Sequence, residues 1–278
     1  MLNKLLDFAK TAGKIALDNQ EAICKSDNKL KERDATSVVT KTDFEISVLF
    51  KKFIEDNFSD LNYMIIDEET ITEYGDKMFS RLDETEYQFV IDPIDGTMPY
   101  ANMMPLWGIV IGVLKNKKPH CGIVYIPKLK DMVYSDGEKA FWVQNAFDED
   151  ECVTELHERS KSASAILFMH NWKFELTDKF CRNFFVPIDF FAAAVLNIYI
   201  ITDRAKANVF HDHLWDFAGA MSVMKCVGLK MLDYDTKKEI EISAEYFDNK
   251  MCMKGNAILC YEDDFDTIKS MIRPRILL

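Results

Sequence analysis

Ile91-Asp92-Pro93-Ile94-Asp95-Gly96-Thr97 closes an apolar run that begins at Tyr87. The run reads as a buried strand that delivers Asp92 to its C-terminal end, and Pro93 holds Asp92 in an extended conformation. Asp92 and Asp95 then flank a sharp turn, where Gly96 permits a backbone path that side chains would block. A helix starting here would point the N–H groups of Gly96 and Thr97 outward, where they can hold an anion. Two carboxylates beside anion-binding amides make sense with a cation between them. Taken alone, D-x-x-D-G is better read as a strand-ending turn with Asx hydrogen bonds.

Two further acidic sites change that balance. Asp67-Glu68-Glu69-Thr70 follows a short apolar strand, Asn62 to Ile66, and Trp215-Asp216-Phe217-Ala218-Gly219-Ala220 places an Asp in the first turn of an otherwise apolar helix. Singly, these are a solvated loop and a carboxylate favouring the helix dipole. Together, three strand-end or helix-start acids predict one site of convergent carboxylates. Such groups ~4 Å apart repel by roughly 4 kcal/mol per pair at an effective dielectric near 20, so cations must neutralise them. Hard oxygen donors without cysteine or histidine spacing point to Mg²⁺ rather than zinc.

Outward from these sites the chain alternates. Leu5, Ala9, Ala12, Ala16 and Ile23 mark an opening amphipathic helix, and the charged run at residues 25–37 reads as a loop. Asp43 to Phe58 reads as a second helix with Ile46, Leu49, Phe50 and Phe53 on one face. From Leu106 to Gln144, LWGIVIGVL, CGIVYI, MVYS and AFWVQ predict an antiparallel meander with Trp107 and Trp142 in its core. The remainder reads as strand AILFMH, helix Phe191–Thr202, strand ANVF, helix Trp215–Val227 closed by Gly228, strand NAILC, and a last helix near Asp264–Ile272. This gives an α+β half at 1–145 and an α/β half at 146–278, with a soft boundary at 145–160, acting as one unit.

The 278 residues are 48% hydrophobic and 29% charged, an ordinary globular composition. Lys+Arg 34 against Asp+Glu 46 gives a net charge of −12, which repels phosphate backbones and anionic lipid and argues against nucleic-acid or membrane partners. Phe184 to Ile201, the most apolar stretch, contains Pro187, Asp189 and Asn197 and reads as a buried segment rather than a span. No export signal is evident at the N-terminus, and the seven cysteines form no C-x-x-C pair, so reduced thiols in the cytoplasm are expected.

The three acidic motifs resemble the signatures of the inositol monophosphatase family, lithium-sensitive and Mg²⁺-dependent phosphatases related to fructose bisphosphatase. Their order and spacing match, as does Val39-Thr40-Lys41-Thr42-Asp43 ahead of them, so the resemblance spans about residues 35 to 235. It implies a layered α-β-α-β-α sandwich of the inositol monophosphatase and sugar phosphatase type. It also implies one metal held by Glu68, Asp92 and the Ile94 carbonyl, a second by Asp92, Asp95 and Asp216, and a third, weaker one involving Glu68. Mn²⁺ would be a substitute for Mg²⁺ and Li⁺ an inhibitor. Asp43 and Thr97, with Glu68 beside them, would orient and deprotonate the attacking water, and Gly96 and Thr97 would receive the phosphate. A homodimer is common in the family.

The pocket departs from the pattern. Met98-Pro99-Tyr100 stands where inositol phosphatases carry a Thr-Asn-Phe-like sequence, and Met98 is not the Lys of histidinol-phosphate and nucleotide relatives. The family's Gly-Ser pair falls on Ala192 and Ala193, and its acidic inositol contact falls on Val209. The expectation is a phosphomonoesterase acting on a small phosphorylated metabolite of the inositol, sugar, nucleotide or histidinol type, with myo-inositol phosphate disfavoured. The alternatives are a catalytically silent metal- and metabolite-binding member, or a scaffold using its acidic surface. His211-Asp212-His213 offers metal-binding side chains but on a strand-to-helix connection reads as a polar loop or a substrate contact, and Lys29, Lys31 and Arg33 as a flap over the phosphate or a solvated loop.

Overall fold

Alternating apolar residues on the strands around Asp92 bury both faces of a sheet, and this decides the layering. The computed structural model describes residues 1–22, 41–169, 174–177, 186–188 and 192–274. Ile23, Cys24, the Lys29–Arg33 loop, Val39, Thr40, Cys181 and Phe191 lie outside the described residues. The helices are α1 (Leu2–Ala22), α2 (Lys41–Phe58), α3 (Met78–Glu84), α4 (Thr97–Ala101), α5 (Ala193–Ile201), α6 (Leu214–Val227) and α7 (Phe265–Met271). Among the described residues, no helix is long and apolar enough to cross a membrane.

A seven-stranded sheet runs in chain order: β1 (Tyr63–Asp67), β2 (Tyr87–Asp95), β3 (Gly108–Lys115), β4 (Lys118–Ile126), β5 (Asp131–Ser135), β6 (Ala140–Gln144) and β7 (Cys152–Leu156). β1 and β2 are parallel, and every later neighbour is antiparallel. The expected meander is present, and β7 carries this sheet past residue 145, so the chain changes sheets after Leu156.

Strand periodicity sends Phe89, Ile91, Ile109, Ile111 and Ile123 to one face, where Leu5, Ala9, Ala12 and Ala16 of α1 and Ile46, Phe50 and Ile54 of α2 cover them. Leu49, expected on the inner face of α2, is 37% exposed; Ile54, one turn beyond Phe50, fills that place. The other face carries Val90, Val110, Val124 and Val133 against α5 and α6. Those helices are covered in turn by a five-stranded sheet in the order β10 (Val186–Ile188), β8 (Ile166–Met169), β11 (Ala207–Phe210), β13 (Ala257–Tyr261), β12 (Leu229–Asp233). Its outer face packs on α7 through Leu167, Val209, Ile258, Phe265 and Ile268. A short pair, β9 (Phe174–Leu176) with β14 (Ile272–Pro274), lies on that side. The α-β-α-β-α layering expected from the sequence is present.

Two features lock the middle helices to the first sheet. Gly112 and Gly122 face each other across β3 and β4, and the Ala218–Gly219 backbone of α6 lies directly on them, so a Cβ at Gly122 would meet the Gly219 carbonyl. Beyond α5, Arg204 donates from Nη2 to Asp131 Oδ2 at 2.9 Å, with its guanidinium 5.1 Å from the Trp142 ring. Trp107 is fully buried, whereas Trp142 is half-buried, packed against the edge of the core where Arg204 covers it.

Candidate active site

The strand does not end at Asp92 as the turn reading expects. β2 continues to Asp95, and its pairing with β3 shifts between Asp92 and Asp95. Residues three apart on a regular strand face opposite ways, and this irregularity turns both carboxylates to one place. The turn comes one residue later, where Gly96 adopts φ 87° and precedes the short helix α4 that Thr97 opens. Thr97 Oγ1 donates to the Ile94 carbonyl at 3.3 Å.

Asp216 reaches the same point from the other half. It is the third residue of α6, and its Oδ2 accepts the His213 N–H at 2.7 Å. The glycine contact between α6 and the sheet fixes how close this first turn can come. Ligand-capable oxygens of Asp92, Asp95 and Asp216 all lie within 4.8 Å of one another. Asp95 also accepts the backbone N–H groups of Ala193 at 3.1 Å, on Oδ1, and of Ala194 at 2.5 Å, on Oδ2.

The third acidic motif divides its labour. Asp67 pairs in register with Ile91, so Glu68 emerges beside Asp92. Asp67 itself turns away, accepting hydrogen bonds from Ser47 Oγ of α2 and from the Glu69 N–H, and so shapes the turn that aims Glu68. Asp43 is buried in the first turn of α2. That end of α2 is tied down by Tyr100, whose hydroxyl donates to the Ala16 carbonyl at 2.8 Å and hydrogen-bonds Thr42 Oγ1 at 3.1 Å.

Burial and crowding hold protons on these acids. Burial first, then the charges of Glu68, Asp95 and Asp216, push Asp92 well above the carboxylate range. Burial, then Asp212, Asp95 and Glu68, do the same for Asp216. Glu68 is pushed up to about 8 by burial and by Asp43. Among the described residues Asp92 Oδ1 is buried with no hydrogen-bond partner, an arrangement costly for a carboxylate oxygen unless a cation meets it. An all-oxygen donor set of this kind fits a hard divalent cation such as Mg²⁺, Ca²⁺ or Mn²⁺.

Several expected site residues lie elsewhere. Val209, assigned to the substrate by counting back from Asp216, is fully buried among Leu167, Ile258 and Phe265. Alternation along β11 gives Phe210 to the α5 and α6 side and Val209 to the opposite one. Ala192 and Ala193 are also buried, with the Ala193 N–H directed at Asp95. They shape the helix start and offer no polar side chain to a substrate. His211 stays outside the acidic group, its Nδ1 on the Gly255 carbonyl at 2.9 Å, whereas His213 borders it: its backbone N–H and, at 3.9 Å, its Nδ1 meet Asp216 Oδ2 while its ring stacks on Trp215 at 4.4 Å. The Ala193 and Ala194 N–H groups and Asn197, whose Nδ2 donates to the Asp216 carbonyl at 3.0 Å, are site partners that sequence reasoning missed.

The chain is similar to known proteins along most of its length. Residues 1–262 match the inositol monophosphatase family. A fructose-1,6-bisphosphatase/inositol-1-monophosphatase from Aquifex aeolicus is 32% identical over 132 residues, a stretch covering 45% of either chain. Bovine inositol monophosphatase 1 is 27% identical over 245 residues, covering 82% of this chain and 83% of its own. A solved Thermotoga maritima IMPase has the same fold, with a TM-score of 0.69 at 19% identity over 96% of this chain and 94% of the other. Membership of the family implies use of divalent metal. With these acids gathered between the end of β2 and the first turn of α6, and the match running from the first residue through β13, the chain belongs to the inositol monophosphatase family and is a phosphatase, a phosphoric monoester hydrolase, of that family.

Proposed function

We propose that the protein is a Mg²⁺-dependent phosphomonoesterase of a small phosphorylated metabolite of the sugar, nucleotide or histidinol type. The observation that carries this reading is the meeting of Asp92, Asp95 and Asp216 within 4.8 Å around a buried Asp92 oxygen without a hydrogen-bond partner among the described residues. Glu68, Asp92, the Ile94 carbonyl, Asp95 and Asp216 would hold two to three ions. Bound Mg²⁺ supplies charge neutralisation for the phosphate and acidifies a water molecule. Asp43 and Thr97 hold and deprotonate the attacking water, and the Gly96 and Thr97 amides receive the phosphate. Phosphoryl transfer then needs positioning more than covalent help.

Myo-inositol phosphate is disfavoured because Ala192 and Ala193, at the start of α5, bring no polar side chain to its ring hydroxyls. A homodimer follows from the family resemblance. A reducing, cytoplasmic setting is supported by Cys121, Cys152, Cys226 and Cys260, which are free thiols.

The test is phosphate release from a panel of sugar, inositol, nucleotide and histidinol phosphates with Mg²⁺. Turnover that Asp92→Asn abolishes and lithium inhibits is expected. No turnover on any ester with Mg²⁺ or Mn²⁺ would overturn the proposal. Calorimetric binding of an ester without hydrolysis would favour a catalytically silent member instead.

A further inference from the structure

We infer that Asn197 is a positioning residue for the acidic cluster, and that α5 sets the separation between Asp95 and Asp216. The inference rests on the metal-dependent reading above. It begins with an uncapped helix. Ala192, at the N-cap of α5, has no side-chain acceptor, so the first N–H groups of the helix need one from elsewhere. Asp95 supplies it across the sheet, taking Ala193 on one oxygen and Ala194 on the other.

One turn further along the same helix stands Asn197, 4% exposed among Val195, Leu196, Ile198 and Ile200. A buried amide in such surroundings costs about 1–3 kcal/mol unless its hydrogen bonds are made. Its Nδ2 donates to the Asp216 carbonyl at 3.0 Å, in the first turn of α6. α5 therefore holds a β2 ligand at its start and the α6 ligand's backbone one turn later. At 1.5 Å rise per residue, that interval is ~5 Å, comparable with the 4.8 Å span of the cluster.

The bracket has no room to slide. A Cβ at Gly96 would press on the Ala192 methyl, and one at Gly108 on the Ala194 methyl, so α5 rests directly on the ends of β2 and β3. Just past its far end, Arg204 is anchored to Asp131. Partners that orient a metal ligand typically change affinity or activity by about 10–100-fold when removed. Asn197 occupies that role for Asp216.

Asn197→Leu keeps the volume and removes the donor. Mg²⁺ and Mn²⁺ titrations by calorimetry are the primary readout, with kcat and KM on a turned-over phosphate ester as the second. The dissociation constant should rise about tenfold or more, with kcat reduced and KM nearly unchanged. Asn197→Ala should give the same shift if leucine cannot be accommodated. Ile200→Ala, in the same helix, lowers the melting temperature without touching the bond and should leave metal affinity at the wild-type value. Wild-type affinity in both Asn197 variants, or an equal loss in Ile200→Ala, would overturn the inference while leaving the metal-dependent reading intact. Wild-type protein that takes up no divalent metal would overturn both.

Discussion

Ala194 donates its backbone N–H to Asp95 Oδ2 at 2.5 Å, so a carboxylate of the acidic cluster also caps a helix of the second half of the chain. Among the described residues Asp92 makes no such bond to the backbone, and its Oδ1 has no hydrogen-bond partner. Two acids of one motif therefore have opposite effects on the metal-free fold.

That difference can be measured by urea unfolding without metal near neutral pH. Asp92 is pushed far above its ordinary range by burial, so Asp92→Asn removes the cost of keeping a proton there. Its stability should equal or exceed that of wild type while metal uptake is lost. Asp95→Asn should lose about 0.5–2 kcal/mol, the usual effect of removing a helix cap. Its neighbours hold protons in this state, so little repulsion is relieved in compensation. An Asp92→Asn protein less stable than Asp95→Asn would contradict the assignment.

The acids also set a pH dependence. Glu68 is raised from 4.5 to about 8, with Asp92 and Asp216 raised in the same direction. A folded state that keeps protons the unfolded chain has released has its full share of stability below the unfolded pKa, and loses it as pH rises through the folded value. For Glu68 that window runs from 4.5 to about 8. The metal-free melting temperature should fall across it, and saturating Mg²⁺ should raise the melting temperature more at the upper end than at the lower. Calorimetric scans along this range decide it; an equal metal effect at both ends would refute the titration scheme.

How far these features were legible in the sequence depends on what fixes each one. The apolar runs of β2 to β5 and the three acidic motifs were readable because both faces of the sheet are buried and each acid ends an apolar strand or opens an apolar helix. β7 was not readable, since Cys152–Leu156 is an almost fully exposed strand without an apolar pattern. Which of Asp67 and Glu68 faces the cluster depends on the register of β1 with β2 and on Ser47, neither visible in one chain. Counting along the chain placed Val209 at the substrate, whereas strand alternation places it in the core. Asp95 and Asn197 owe their partners to α5, a contact between residues nearly a hundred positions apart in the case of Asp95 and Ala194.

Gly122 tests how the second half is seated. Its missing side chain lets the Gly219 carbonyl of α6 lie on the sheet, and α6 carries Asp216 in its first turn. Gly122→Ala should cost about 1–3 kcal/mol by overpacking and should weaken metal binding as α6 is pushed from Asp92. Denaturant unfolding and metal titration of one sample check both effects. Reduced stability with unchanged metal affinity would show that the site tolerates movement of α6.

On the proposed reading, in which Asp43 orients the attacking water, Tyr100 holds the end of α2 that carries it. Its hydroxyl joins the Ala16 carbonyl of α1 to Thr42 of α2, immediately before Asp43, and its ring meets Trp107 edge-on at 4.9 Å. The cluster acids Asp92, Asp95 and Asp216 stand on β2 and α6, outside this tie. Tyr100→Phe keeps the ring packing and leaves the Ala16 carbonyl without its buried donor, a loss of about 1–3 kcal/mol. The N-terminal turn of α2 should loosen, so kcat should fall while metal affinity stays near wild type. Steady-state kinetics beside calorimetric metal titration distinguish the two. A Tyr100→Phe protein that loses metal affinity in proportion to kcat would place the effect of this tie on the cluster rather than on Asp43.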